Sequence, residues 1–124
     1  MEIVEIRKND DGARGEARVR FPASAPYFAG HFPGQPVVPG VVLVDAAVQI
    51  AAQAVGRPLR LRRLAYAKFT QAIAPDQEAV WAYQSVPDPE DAGRLRIIGK
   101  WNRDGAKIAE MQFVAADKGA SDEP

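Results

Sequence analysis

The chain has 124 residues, 47% of them hydrophobic and 26% charged, with equal numbers of basic and acidic side chains and no net charge. That is the composition of one soluble domain large enough to bury a core, and the charge balance gives no global field that would recruit nucleic acid or an anionic membrane. The absence of cysteine excludes disulfides, thiolate catalysis and Cys-based zinc sites, and a single histidine excludes a His-rich metal site within one chain.

In chain order, Met1-Glu2-Ile3-Val4-Glu5 lacks the basic and apolar regions of a signal peptide, which makes a cytoplasmic location the expectation. Residues 2–8 predict a short strand, Asn9-Asp10-Asp11-Gly12 a turn, and residues 14–21 a second strand with Ala17, Val19 and Phe21 on one face. Prolines 22, 26, 33, 36 and 39 keep Pro22–Gly40 an extended loop. Val41–Val55 predicts a helix, capped by Gly56 and stopped by Pro58. It is short for a bilayer span and carries Asp45.

Residues 59–70 predict a strand with Leu59 and Leu61 pointing inward. After a slip near Arg63, Ala65, Ala67 and Phe69 take that role. Ala74-Pro75-Asp76-Gln77 is a turn. In a strand over 78–86, Val80, Ala82 and Gln84 oppose Trp81, Tyr83 and Ser85. Pro87–Gly93 reads as an exposed acidic loop. Strands over 94–102 and 106–115 are joined by Arg103-Asp104-Gly105, a hairpin signal. One domain spans 1–117, and 118–124 is a polar tail expected to be disordered.

One long apolar helix and five to six strands make an α+β fold. The helix needs cover on several sides, and a curved antiparallel sheet wrapped around it supplies that cover. This is the arrangement of a hot dog fold.

Asp45, Gln49 and Gln53 sit four apart and drift by only about 40° per step, so they form one polar stripe on the helix. A carboxylate among Val, Leu, Ala and Ile is costly without a partner. Burial there is expected to keep a proton available on it. Upstream, the proline-stiffened loop carries His31. A loop histidine is by itself unremarkable. Joined to that carboxylate by a rigid segment, it makes a candidate acid–base pair.

The segment Gly30-His31-Phe32-Pro33, then Pro36-Val37, Pro39-Gly40-Val41, Asp45-Ala46 and Gln49 resembles the β-hydroxyacyl-acyl carrier protein dehydratase family. The family pattern GHFP-x-x-P-V-x-P-G is met throughout. So is its acidic residue fourteen after the histidine, followed four residues later by glutamine. Weaker resemblance reaches Lys68-Phe69 with Pro75-Asp76, and Asp104-Gly105 with Ala109-Glu110. The resemblance implies dehydration of a (3R)-3-hydroxyacyl thioester to the trans-2-enoyl thioester, in fatty acid or specialised lipid or polyene synthesis. No cofactor is implied. His31 is implied as the base and Asp45 as the acid, with the Gly40 backbone N–H as oxyanion donor. Gln49, Phe32 and Pro39 are implied as supporting residues, Gln49 by orienting Asp45. Tyr27, Phe28, Phe32 and Phe69 are candidates to line an acyl channel. The implied partners are an acyl carrier protein and a second copy of the chain, with the site between two subunits; assembly beyond the dimer is left open.

Three departures from the family pattern stand out. The acid is Asp where most elongation dehydratases carry Glu, which leaves isomerisation of the double bond open. The N-terminus is short, as in a specialised stand-alone relative. The turn at Pro75-Asp76 lacks the glycine usual after that proline.

Arg57, Arg60, Arg62 and Arg63 lie in a stretch without acidic residues. They read either as a solvated strand edge or as a docking patch for an acidic carrier. Two other activities are compatible with the fold class: an acyl thioesterase, which has no need of the His-Phe-Pro loop, and a non-catalytic subunit of a heterodimer, which has no reason to keep both His31 and Asp45.

Overall fold

A computed structural model describes residues 1–29 and 36–119. The alternating segments at the start of the chain form β1 (Glu2–Lys8) and β2 (Arg14–Arg20), paired antiparallel. The apolar run forms helix α1 (Gly40–Val55). It is followed by β3 (Leu59–Phe69), β4 (Glu78–Asp88), β5 (Asp91–Arg103) and β6 (Ala106–Asp117). Among the described residues the six strands make one antiparallel sheet in the order β1-β2-β4-β5-β6-β3. This is the hot dog architecture the helix pattern required.

The core lies between the sheet and α1. Ala17, Val19 and Phe21 are buried as the alternation predicts, and on β4 the Trp81, Tyr83 and Ser85 set turns inward. Aromatic rings fill the centre: Trp81 packs on Trp101 and Phe113 at centroid distances of 5.4 and 6.5 Å, and Phe21 lies 6.0 Å from Trp101. Helix residues Leu43, Ala47, Ile50 and Ala51 complete it. The helix ends as expected: Gly56 adopts φ 77°, and its N–H donates to the Ala52 carbonyl at 3.0 Å.

The β1–β2 turn closes against the last turn of α1. Gly12 has φ 75°, and a Cβ there would lie 2.3 Å from the Ala54 carbonyl oxygen. Left-handed strain and a backbone clash therefore coincide. Gly12→Ala is expected to destabilise the fold by about 2–4 kcal/mol, as a sum of backbone strain and overpacking. Equilibrium urea unfolding measures it, and a loss under about 0.5 kcal/mol contradicts the packing described.

Three expectations need correction. First, β3 is an edge strand bonded to β6 alone among the described strands, so its apolar residues lack cover. Leu59 is buried, but Leu61, Ala65 and Phe69 are exposed and Ala67 is half-buried. The predicted slip is present between Leu61 and Arg63, and a second lies between Leu64 and Tyr66. Alternation signals which side chains share a face, not whether anything covers it. Second, residues 87–93 are not an acidic loop. β4 and β5 run on to Asp88 and Asp91 in a tight hairpin. Pro87 is tolerated because β2 pairs with β4 only as far as Arg14–Gln84, which leaves no ladder partner on that side to lose. Asp88 is buried: its carboxylate accepts from the Glu90 N–H at 3.3 Å and faces Arg96 at 3.8 Å. The third correction concerns Asp45.

Candidate active site

Asp45, Gln49 and Gln53 form the predicted stripe, but it points away from the core and all three are exposed in the single chain. The sheet covers the other sides of α1. The expectation of a buried carboxylate holding a proton therefore lacks its premise within one protomer. Asp45 does have the partner its position required. The Gln49 side-chain amide donates to Asp45 Oδ2 at 2.6 Å, one helical turn on. Among the described residues, no hydrogen bond engages the other carboxylate oxygen.

The pair sits in an open groove of about 730 Å³ between α1 and the start of β3. Val41, Val44, Val48, Leu61 and Leu64 give it apolar walls, and Arg60 and Lys118 bring cations to its rim. Val41 is 76% exposed. A carboxylate set among aliphatic side chains, of which Val41, Leu61 and Leu64 are exposed, is an arrangement for an acyl chain with a reactive polar end, or for a covering partner.

Gly40 is the first residue of α1, preceded by Pro39 in an extended conformation. Its N–H belongs to the first-turn donors that have no acceptor within the helix. A Cβ at Gly40 would lie 3.0–3.3 Å from three ring atoms of Phe69, so the ring presses on the backbone where a side chain would stand. A second groove, about 440 Å³, opens here between Val38, Leu43, Phe69 and Ile73. Phe69, 47% exposed, thus lines a groove beside the helix N-terminus. Phe28 is core, its ring tilted against that of Tyr27 at a centroid distance of 4.8 Å. Burial raises the Tyr27 pKa.

His31 and Phe32, with Gly30 and Pro33 to Gln35, lie outside the described residues. The two ends of their loop are defined, and both are tied to the turn before β4. At the exit the Val38 N–H donates to the Ile73 carbonyl at 2.8 Å. At the entrance Phe21 exchanges backbone bonds with Asp76 and Gln77, and the Asp76 carboxylate accepts from the Ala23 N–H at 2.9 Å.

The four arginines do not form one free patch. Arg57 is paired with Asp117. Arg60 and Arg62 are half-buried on β3, with Arg60 at the groove, and Arg63 is exposed. One residue at the site went unnoticed in the sequence, and a second was noted only for its turn. Lys118 reads as part of a polar tail, yet its N–H donates to the Pro58 carbonyl and it reaches the groove rim. Asp76 gave one signal, a non-glycine residue after the proline of a tight turn; it adopts φ 65°.

A hot dog sheet around a helix that presents an Asp–Gln pair in an apolar groove defines the class, and the comparisons agree with it. The model of the ApeI-like family, ApeI dehydratase, matches residues 6–113, and the chain belongs to that family. It is a hydroxyacyl dehydratase, a hydro-lyase, as the loop-and-helix motif implied. Among curated proteins, the 3-hydroxyacyl-[acyl-carrier-protein] dehydratase FabZ of Pelotomaculum thermopropionicum is 36% identical over 119 residues, covering 90% of this chain and 85% of that protein. The FabZ of Enterococcus faecalis is 30% identical over 110 residues, covering 83% and 77%. Among solved structures, a chain of the dehydratase heterocomplex ApeI:P from Xenorhabdus doucetiae superposes with a TM-score of 0.66 at 17% identity, covering 94% of this chain and 99% of that one. A hypothetical thioesterase with coenzyme A from Streptococcus pneumoniae also reaches 0.66, at 14% identity, covering 93% and 85%. At these identities the two structures speak to the fold alone. Among the described residues no helix is long and apolar enough to cross a membrane.

Proposed function

We propose that the chain removes water from a (3R)-3-hydroxyacyl thioester carried on an acyl carrier protein, giving the trans-2-enoyl thioester. The observation that carries the reading is the Asp45–Gln49 pair at 2.6 Å, exposed in an apolar groove on a helix whose opposite side is packed into the core. The imidazole of His31 takes the proton from C2 and charge builds on the thioester oxygen, which the Gly40 N–H at the helix N-terminus receives. Asp45 protonates the hydroxyl on C3 as the C3–O bond breaks, and water leaves. Gln49 fixes the rotamer of Asp45. Pro39 precedes the helix in an extended conformation, Phe32 is a supporting residue of the motif, and Phe69 bounds the acyl site.

The site is shared between two copies of the chain, His31 from one and Asp45 from the other. The open Asp45 stripe and the uncovered apolar residues of the β3 edge, Leu61, Leu64, Tyr66 and Phe69, support this reading, because a monomer has no use for them in water. Incubation with a carrier-bound 3-hydroxyacyl chain tests the reaction by its product. Enoyl thioester supports the proposal, while release of free acid means a thioesterase and an unchanged substrate a non-catalytic subunit.

Arg60, Arg62 and Arg63, with Arg57 beside them, steer the acidic carrier to the groove. Arg62→Glu with Arg63→Glu is expected to raise KM for carrier-bound substrate about tenfold, to change KM for a pantetheine analogue little, and to lose the difference in high salt. Equal losses on both substrates return these residues to a solvated strand edge.

A further inference from the structure

The polar stripe on α1 has three members, and the proposed chemistry uses two of them. Asp45 and Gln49 are bonded to each other, whereas among the described residues no hydrogen bond engages the side-chain amide of Gln53. Gln53 is exposed and lines the same groove between α1 and β3. At a rise of about 1.5 Å per helical residue, that groove runs about 6 Å from Asp45 to Val41 and about 12 Å from Asp45 to Gln53. Val48, Ala52, Leu59 and Leu61 wall the longer limb. Past Gln53 the aliphatic wall gives way, and the next hollow along the surface is lined by Gly56, Arg57 and Pro58 together with Ala52 and Gln53 itself. An apolar trough thus starts at the carboxylate and ends at an unengaged amide.

We propose that Gln53 is a specificity-determining residue that limits the length of the acyl chain, resting on the reading of Asp45 as the acid at C3. With C3 held at Asp45, the carbons from C4 onward occupy the longer limb of the groove. Carbon–carbon bonds of about 1.5 Å at tetrahedral angles advance an extended chain by about 1.25 Å per carbon. The five carbons beyond C3 of an octanoyl chain therefore span about 6 Å and stay among the aliphatic walls, while the eleven of a tetradecanoyl chain span about 14 Å and lie across Gln53. An alkyl chain at that point strips water from the amide and returns no hydrogen bond, a loss worth about tenfold in affinity. Short and medium chains do not meet it.

Gln53→Met removes the amide while keeping side-chain length and helix propensity, and at an exposed position it leaves the core untouched. The probes are hydrolytically inert amide analogues of 3-hydroxyoctanoyl and 3-hydroxytetradecanoyl pantetheine, titrated calorimetrically, with kcat/KM for the two corresponding thioesters measured alongside. In Gln53→Met the affinity and kcat/KM for the tetradecanoyl chain are expected to rise about tenfold, while those for the octanoyl chain stay within about twofold. Gln53→Glu places a charge at the same point and is expected to move the ratio the other way. Equal changes at both lengths, no change at either, or failure of both analogues to bind overturns the inference. A length-dependent shift in binding by a protein that dehydrates neither thioester upholds the role of Gln53 and overturns instead the reading of the reaction.

Discussion

Replacing His31 with Ala, or Asp45 with Asn, is expected to lower turnover of a saturating 3-hydroxyacyl thioester by about 10²–10⁴-fold each while the fold persists, the range typical of general acid–base groups. Asp45→Asn is the cleaner variant. Asp45 is exposed on the protomer and bonded to Gln49, and the amide oxygen of Asn accepts the same bond, so neither a cavity nor a buried unpaired group results. Only the ability to deliver a proton is lost. If the two groups act as one unit on one C2–C3 bond, the double variant is expected to be little worse than the poorer single one. Steady-state rates with circular dichroism on each variant decide the matter. Less than a tenfold loss in both variants, with substrate saturating, removes these residues from the chemistry.

Much of this arrangement was legible in the chain. Period-two alternation placed Ala17, Val19, Phe21, Trp81 and Tyr83 inward because those strands lie in the middle of the sheet under the helix. The i, i+4 spacing put Asp45 and Gln49 on one stripe because helix geometry is local. What failed was non-local. Whether Leu61 and Phe69 are covered depends on β3 lying at the edge, and no residue of β3 encodes that by itself. Whether Pro87 breaks a strand depends on where β2 ends, more than sixty residues earlier. Asp45 was read as buried because its neighbours are apolar, yet hydrophobic neighbours can equally be the walls of an open groove. Pro75-Asp76 reads in the sequence only as a turn that lacks a glycine, and nothing local says that the Asp76 carboxylate accepts a backbone N–H. Identifying Ala23 as its partner required the fold.

The uncovered stripe leads to the second large effect. His31→Ala and Asp45→Asn proteins, each inactive alone, are expected to regain activity when mixed under conditions that exchange subunits. With the histidine of one chain facing the carboxylate of the other, a mixed dimer holds one site lacking both groups and one site complete. Random pairing makes half of the dimers mixed, so recovery should approach about one quarter of the activity of the unaltered protein, a figure fixed by two-fold symmetry. A site built within one chain predicts no recovery at any mixing ratio. The structure bears on which outcome to expect. The Asp45–Gln49 pair opens outward between Val41, Val44 and Val48, and the adjacent β3 edge, with Leu61, Leu64 and Tyr66, has no second strand beside it among the described residues. Pairing two such edges would satisfy the backbone, cover the apolar side chains and roof the groove in one step, because an isologous contact places each chain's β3 edge against the other's. A roof of that kind withdraws water from around Asp45, which the single chain does not do, and so supplies the environment in which a carboxylate serves as an acid. Exchange confirmed with mass-tagged subunits but without return of activity shows that the roof, if it forms, does not bring His31 of one chain to Asp45 of the other.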